Sequence, residues 1–173
     1  ADSFDAMAAN RLEPEIYSLR SLHEFAAAVE RYGEQRYPIH VKLDTGMHRL
    51  GFVEEELPAL LDALARYGRT VRVASVFAHL CTSDDPAQDD FTRLQIARFD
   101  RMSSRIAEAL PYPVLRHTAN SAAIERFPEA QYDMCRLGLG LYGFGFEHNA
   151  ALCPVSTLRT RIVQIKRLAP TET

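Results

Sequence analysis

The residues of this chain best suited to chemistry begin with a group of charges between positions 42 and 49. Lys42 and Asp44 share one face of an alternating segment whose other face is apolar, and Arg49 follows in a loop bracketed by glycines. A guanidinium suits the two oxygens of a carboxylate, so this order of residues indicates an anion site at the carboxyl end of a strand. A solvated edge strand is the alternative that these residues alone leave open.

Three further stretches place polar side chains at the ends of apolar runs. His79 closes one run, Asn120 and Ser121 follow another just before a predicted short helix, and Arg136 precedes the glycine-rich segment 138–143. A hydroxyl beside free backbone N–H groups favours an anion, and glycines let further N–H groups approach a phosphate. Each feature also has a structural alternative, namely a satisfied histidine, an ordinary N-cap, a turn or a surface ion pair.

Hydrophobic periodicity predicts the elements that position these stretches. An apolar period of two predicts strands, and apolar residues at helical spacing predict helices. Ser21, with Glu24 three residues later, predicts a capping box at the start of the first helix. Residues 1–11 are small and polar, which predicts a loop. The predicted strands are 15–18, 39–44, 71–79, 114–119 and 134–137, and the predicted helices are 21–33, 54–67, 89–110 and a short one from 121.

The order of these elements predicts the fold class. Strands and helices alternate five times, which predicts an α/β fold with a parallel sheet. When such strand–helix units close into a barrel, the functional residues lie at the carboxyl ends of the strands. The four polar stretches are therefore expected to lie together. Residues 157–169 also alternate but no helix follows them, which predicts a strand outside this pattern.

Composition excludes several classes of function. Hydrophobic residues make up 47% of the 173, enough for a real core, and the net charge of −3 with no basic run argues against nucleic acid. No apolar segment approaches the length of a membrane span. Cys81, Cys135 and Cys153 lack the spacing of disulfides or metal sites, so we expect reduced thiols, a cytoplasmic location and no metal.

Three motifs of the chain resemble those of alanine racemases, barrel enzymes that use pyridoxal 5′-phosphate (PLP). Residues 42–51, KLDTGMHRLG, resemble the family's K-x-D-T-G-M-x-R-L-G signature. Residues 117–122, HTANSA, resemble H-x-A-N-S-A, and residues 136–143, RLGLGLYG, resemble R-x-G-x-x-L-Y-G. The resemblance implies about five βα units of a partial (β/α)8 TIM barrel in residues 1–150, and the first strand of a C-terminal β-domain in residues 151–173.

The resemblance also implies roles for individual residues. Arg49 would bind the substrate, and Arg136 would face the pyridine nitrogen of PLP. Two residues would support these arginines. Lys42, whose counterpart in the family is often carbamylated, would lie beside Arg49, and His79 would lie beside Arg136. The implied cofactor-binding residues are Ser121, Asn120, Arg136, Gly138 and Leu139.

The function implied by the resemblance is interconversion of L-alanine and D-alanine for bacterial cell-wall precursors, by a cytoplasmic head-to-tail homodimer. The family's Schiff-base lysine lies in a K-A-x-A-Y-G-H-G context that does not occur here, and neither Lys42 nor Lys166 has a suitable context. The opposing catalytic tyrosine of the family is also absent, so this segment alone is expected to be inactive. A related PLP barrel acting on another amino acid, such as a serine racemase or a decarboxylase, and a non-catalytic binding or regulatory module are the alternatives.

Overall fold

The protein is built on a parallel sheet of four strands, which lie side by side in the order in which they occur in the chain. The computed structural model describes residues 2–146 and 151–171. The strands are β1 (Glu15–Ile16), β2 (Tyr37–Lys42), β3 (Val71–Phe77) and β4 (Leu115–His117). The helices are α1 (Asp2–Ala9), α2 (Leu19–Arg31), α3 (Leu57–Arg66), α4 (Asp89–Ala109) and α5 (Ser121–Arg126). Short 3-10 turns lie at Glu54–Glu56, Pro86–Gln88, Pro128–Ala130 and Leu139–Tyr142.

One face of the sheet packs against the helices and forms the main hydrophobic core. Phe25 of α2, Leu60 of α3 and Phe99 of α4 are fully buried in one cluster with Ile39 of β2 and Val73 of β3. Each such side chain contributes about 1.5–3 kcal/mol by leaving water. The predicted α/β class with a parallel sheet is therefore confirmed, because the apolar period of each segment matches the face that it buries.

The strand residues that alternate with this core carry polar side chains on the other face. His40 of β2 lies opposite Ser75 of β3, while Phe77 lies opposite both Lys42 and His117 on its two neighbouring strands. A register shift just before His40 produces this alignment, since an irregularity of this kind moves the following residues of one strand along the other. The sheet thereby presents a row of histidine, lysine and serine side chains away from the helices.

The beginning of the chain differs from its prediction. Residues 2–9 form helix α1 rather than a loop, and Phe4 and Met7 pack against the main core. The alanines among these residues favour helix, and the two apolar side chains give the helix a face to bury. Helix α2 is capped by Ser18, not by Ser21: the Ser18 hydroxyl accepts the backbone N–H of Ser21, and the Ser21 hydroxyl accepts that of Ser18.

The predicted fifth strand, residues 134–137, does not form within the part of the chain that the structure describes. This segment runs beside β4 and is held by two backbone bonds, from Asp133 to the carbonyl of Arg116 and from Arg136 to that of Ala119. Bonds three residues apart do not make a ladder. The sheet therefore has four strands where the sequence predicted five βα units.

The predicted strand at residues 157–169 is also wrong, because this segment is without regular structure. Its apolar side chains lie in solvent: Leu158 is 100% exposed and Val163 is 96% exposed. A strand needs a neighbouring strand to satisfy its backbone, and the described strands β1 to β4 pair with one another and not with this segment. The domain boundary at residue 150 stays a prediction.

Three expectations from composition concern the described residues as a whole. Cys81, Cys135 and Cys153 are free thiols. Within residues 2–146 and 151–171, none of the helices has both the length and the apolar composition needed to cross a bilayer. No group of three or more potential metal ligands occurs within these ranges.

Candidate active site

The loop after β2 is shaped by Asp44 and Gly51, two residues of the KLDTGMHRLG motif. One carboxylate oxygen of Asp44 accepts the backbone N–H groups of Gly46 at 2.9 Å and His48 at 3.1 Å. Gly51 has φ of +130°, and a Cβ there would lie 2.6 Å from the backbone nitrogen of Asp44. Only glycine tolerates this approach. Asp44 and Gly51 therefore fold the loop, and Arg49 is the residue that the loop presents.

Lys42 and Arg49 line one side of a hollow above the polar face of the sheet. The ammonium of Lys42 is buried and forms an ion pair of 3.0 Å with Glu15 of β1. Arg49 is exposed and forms no hydrogen bond or ion pair with the residues that the structure describes. Its guanidinium is thus available to an anionic ligand, while the charge of Lys42 is already balanced within the protein.

Ser121 draws together two segments that are distant in sequence. Its hydroxyl oxygen accepts the backbone N–H of Gly138 at 2.9 Å and that of Gly140 at 3.1 Å. Two N–H groups therefore converge on one hydroxyl oxygen, and the hydroxyl hydrogen of Ser121 is left to donate to a phosphate or another anion. Leu139 lies between the two glycines, with 68% of its surface exposed.

Asn120 and Ser121 line a second hollow, but the side chain of Asn120 is engaged in holding the fold. Its Oδ1 accepts the hydroxyl of Ser83 at 2.8 Å and the N–H of Ala123 at 3.0 Å, which caps α5. Its Nδ2 donates to the carbonyl of Leu80 at 2.9 Å. We infer that Asn120 positions Ser121, the next residue, rather than contacting a ligand through its amide.

Arg136 is half-buried, and almost all of its donors are engaged. Nη1 donates to Nδ1 of His117 at 2.9 Å and to its carbonyl at 3.4 Å, while Nη2 donates to the carbonyls of Ala78 at 2.8 Å and Thr118 at 3.2 Å. Within the described residues, Nε–H has no partner. Burial lowers the pKa of Arg136 from its usual value, but an arginine stays protonated at neutral pH. One fixed N–H is therefore left to meet a ligand.

The histidine that contacts Arg136 is His117, whereas the sequence argument assigned this support to His79. Burial, and then the charges of Arg136 and His40, lower the pKa of His117 to about 4, so its imidazole is neutral at pH 7. Burial and the charges of Arg136, Arg49 and Lys42 lower the pKa of His79 as well. No hydrogen bond joins His79 to Arg136 among the described residues, because His117 occupies the guanidinium edge.

The predicted site residues converge on two adjoining hollows that share His79 and Arg136. Ser121 and Gly138 line one, of about 440 Å³, and Arg49 lines the other, of about 460 Å³. Both volumes lie in the range of small-molecule sites. The first also brings together Asn120 and Leu139, and the second adds Lys42, Glu13, Glu15, His40, Phe77 and His117.

Several of these residues were missed by sequence reasoning. His117 stands at the head of the HTANSA stretch, which was the available signal for it. His40 alternates with the apolar residues of β2 and could have been placed on the same face as Lys42. Glu13 and Glu15 gave no signal, because they reach the site only through the pairing of β1 with β2.

The N-terminal domain of alanine racemases matches residues 1–145 of the chain. The chain belongs to this family. An alanine racemase of Synechocystis is 36% identical over 174 residues, which is 98% of this chain and 46% of that protein. The alanine racemase structure of Streptomyces coelicolor is 26% identical with a TM-score of 0.79, over 88% of this chain and 42% of the other.

Alanine racemases depend on pyridoxal 5′-phosphate. The structure from Bartonella henselae, which has covalently bound pyridoxal phosphate, shares the fold with a TM-score of 0.69 at 22% identity over 84% of this chain and 40% of that one. The chain thus spans less than half the length of these three proteins. All three are similar to it over most of its own length.

The donors of this site fit such a cofactor in chemistry and in number. A phosphate requires O–H or N–H donors, and the hydroxyl of Ser121, held by the N–H groups of Gly138 and Gly140, is such a donor at one end of the hollow that contains Ser121. A pyridine nitrogen without a proton requires a donor, which Arg136 Nε–H supplies. Asp84 is the one carboxylate that lines this hollow among the described residues, and it is exposed to solvent.

Proposed function

We propose that this chain forms part of a bacterial alanine racemase that interconverts L-alanine and D-alanine with PLP. The observation that carries the proposal is the pair of hollows joined at Arg136, with phosphate donors in one and the free guanidinium of Arg49 in the other. The cofactor carries a phosphate and the amino-acid substrate carries a carboxylate. The two together need two anion sites, one on each side of the donor to the ring nitrogen. The arrangement of Ser121, Arg136 and Arg49 meets that need.

PLP, when bound, supplies an electron sink that makes the α-proton of the amino acid acidic. Ser121 would donate its hydroxyl hydrogen to the phosphate, and the N–H groups of Gly138 and Gly140 hold that hydroxyl in place. Arg136 would offer Nε–H to the ring nitrogen and would release no proton to it, because a guanidinium stays charged. Arg136 would thereby leave the ring nitrogen unprotonated, which would weaken the electron sink and limit side reactions such as transamination.

Arg49 binds the carboxylate of the substrate and orients its α-carbon toward the catalytic groups. The Schiff-base lysine and the opposing tyrosine lie outside these residues in this proposal, and the tyrosine comes from the partner subunit of a homodimer. The enzyme acts in the cytoplasm and supplies D-alanine for cell-wall precursors, and these residues by themselves are inactive.

The test is a racemisation assay on the full-length protein loaded with PLP, starting from each enantiomer of alanine and of serine. We expect alanine to be racemised in both directions and preferred over serine. Arg49→Ala should lower kcat/KM for alanine by about 10- to 100-fold, the range for a charge-assisted hydrogen bond. Arg66→Ala, an exposed arginine on α3, is the matched control and should leave kcat/KM unchanged. Absence of racemisation with every amino acid tried would refute the proposal.

Arg136→Glu tests the role of the donor to the ring nitrogen. A carboxyl group at this position can share a proton with the nitrogen, which strengthens the electron sink. We expect the ratio of transamination to racemisation to rise, measured as pyruvate formed per alanine inverted. An unchanged ratio in a variant that still binds PLP would contradict this role.

A further inference from the structure

A continuous chain of hydrogen bonds crosses the polar face of the sheet and ends at Arg136. Glu13 Oε2 lies 2.8 Å from His40 Nε2, and His40 Nδ1 lies 2.6 Å from Ser75 Oγ. Ser75 Oγ lies 3.0 Å from His117 Nε2, and His117 Nδ1 lies 2.9 Å from Arg136 Nη1. The five side chains come from five separate segments, so the chain spans the whole width of the sheet.

The register of the sheet makes this chain possible. Ser75 lies opposite His40 only because of the register shift before His40. Ser75 and His117 are both buried, with 1% and 5% of their surface exposed, so neither can turn to water for a partner. The stacking of His117 on Phe77, with centroids 5.1 Å apart, fixes the plane of its ring.

The two ends of the chain determine the direction of every bond in it. A guanidinium only donates, so His117 Nδ1 must accept from Arg136, and the proton of the neutral imidazole lies on Nε2. His117 Nε2–H then donates to Ser75 Oγ. The buried hydroxyl hydrogen of Ser75 needs an acceptor, and within the described residues only His40 Nδ1 lies within reach. His40 Nε2–H in turn donates to Glu13, since a carboxylate only accepts.

We infer that Glu13, His40, Ser75 and His117 form a one-way hydrogen-bond chain that positions Arg136, with both imidazoles neutral and protonated on Nε2. This inference rests on the proposed function for its consequence, not for its geometry. The chain holds the guanidinium by one edge. Because successive bonds point the same way, each one polarises the next.

The chain also prevents His117 from acting as an acid toward the cofactor. His117 presents a lone pair to Arg136 and its only N–H to Ser75, so it has no proton directed at the ligand hollow. The low pKa of His117, about 4, agrees with a neutral ring over the physiological range. Arg136 is thus the sole donor that the chain delivers to the ring nitrogen.

The experiment is nitrogen NMR on the full-length protein with ¹⁵N-labelled histidine, loaded with PLP and without substrate at neutral pH. One-bond and long-range couplings identify the protonated nitrogen of each ring, and His40→Gln and His117→Gln assign the signals. We expect both rings to be neutral with the proton on Nε2. A proton on Nδ1 of His117, or an imidazolium at either position, would overturn the inference.

Two variants of Ser75 separate positioning from simple packing. Ser75→Thr keeps the hydroxyl and should keep the Nε2–H form of His117, whereas Ser75→Ala should give His117 a mixture of both tautomers. In the same Ser75→Ala protein we expect the ratio of transamination to racemisation to rise above that of Ser75→Thr. Ser104→Ala, on α4 away from the sheet face, is the control for loss of a hydroxyl.

The outcomes are distinct from those of the proposed function. Ser75→Ala with the His117 signals of the wild type would overturn the chain, even in an active racemase. If Ser75→Ala does not fold, the tautomers of the wild type and of Ser75→Thr still decide the inference. A protein with the expected tautomers but no racemase activity would leave the chain standing and reject the proposed function instead.

Discussion

Ser121→Ala tests whether the hydroxyl that gathers Gly138 and Gly140 holds a phosphate. The substitution removes one O–H donor and also the oxygen on which the two backbone N–H groups converge, at 2.9 Å and 3.1 Å. A hydrogen bond to a charged group contributes about 1.5–3 kcal/mol, so the dissociation constant of PLP should rise by about 10- to 100-fold. Ser121→Thr keeps the hydroxyl and should retain most of the affinity.

The assay compares two ligands that differ only in the phosphate. The full-length apoprotein and its variants are titrated with PLP and with pyridoxal, and binding is followed by absorbance. Ser121→Ala should weaken PLP binding while changing pyridoxal binding by less than about twofold, because pyridoxal carries no phosphate for Ser121 to contact. Ser104→Ala controls for the loss of a hydroxyl elsewhere.

Two results would contradict a phosphate site at Ser121. Equal losses for PLP and pyridoxal would mean that Ser121 only maintains the fold of the segment 138–143. An unchanged affinity for PLP would mean that the phosphate binds elsewhere. Either outcome would remove the phosphate site from this hollow, whatever the activity of the variant.

Three further predictions concern stability and modification. Gly51→Ala puts a Cβ 2.6 Å from a backbone nitrogen at a φ of +130°. The free energy of unfolding, measured in denaturant, should therefore fall by at least about 2 kcal/mol. In the control Gly68→Ala the new Cβ comes no closer than 3.4 Å to its neighbours, so the free energy of unfolding should change by less than about 1 kcal/mol. His117 is held neutral in the fold by a pKa lowered from 6.5 to about 4, while the unfolded chain takes up a proton near pH 6.5. Stability should therefore fall as the pH drops from 6.5 to 4, by at most about 3 kcal/mol, and thermal melts of His117→Gln should lose less over this window. Glu15 lies 3.0 Å from the Lys42 ammonium, and its negative charge would repel a carbamate on Lys42. Chemical trapping followed by peptide mass spectrometry should therefore find Lys42 unmodified in the wild type and carbamylated only in Glu15→Gln. A carbamate on Lys42 of the wild type would contradict this.

The parts of the fold that local pattern determines were predictable. Strand β2 and helix α4 agree with the predicted segments within two residues, because each buries one periodic face in the main core. The absence of a strand at 134–137 was not predictable, since it depends on how few backbone hydrogen bonds form between this segment and residues 116–119. The exposed segment 157–169 shows the same dependence on a partner, and its alternation alone does not form a strand.

The candidate site was predictable as a set of residues more than as a set of contacts. Arg49, Ser121 and Arg136 were identified by their positions near strand ends together with the motifs that resemble those of alanine racemases, and they do line adjoining hollows. The contact between Arg136 and His117 was missed, because the sequence cannot tell which of two strand-end histidines reaches the guanidinium. That choice depends on the stacking of His117 against Phe77.

Asp44 shapes the candidate site through the backbone of the loop that follows β2. Its position beside Lys42 suggested a charged pair facing a ligand, yet its carboxylate is used by the backbone of the loop that follows. A carboxylate that accepts two N–H groups gives the loop one conformation, and Gly51 lets that loop close against the strand. Arg49 is then held at the rim without a partner among the residues that the structure describes, which is the condition that a guanidinium must meet to bind a carboxylate. A substitution at Asp44 should therefore affect substrate binding through the position of Arg49 rather than through any loss of charge at the site.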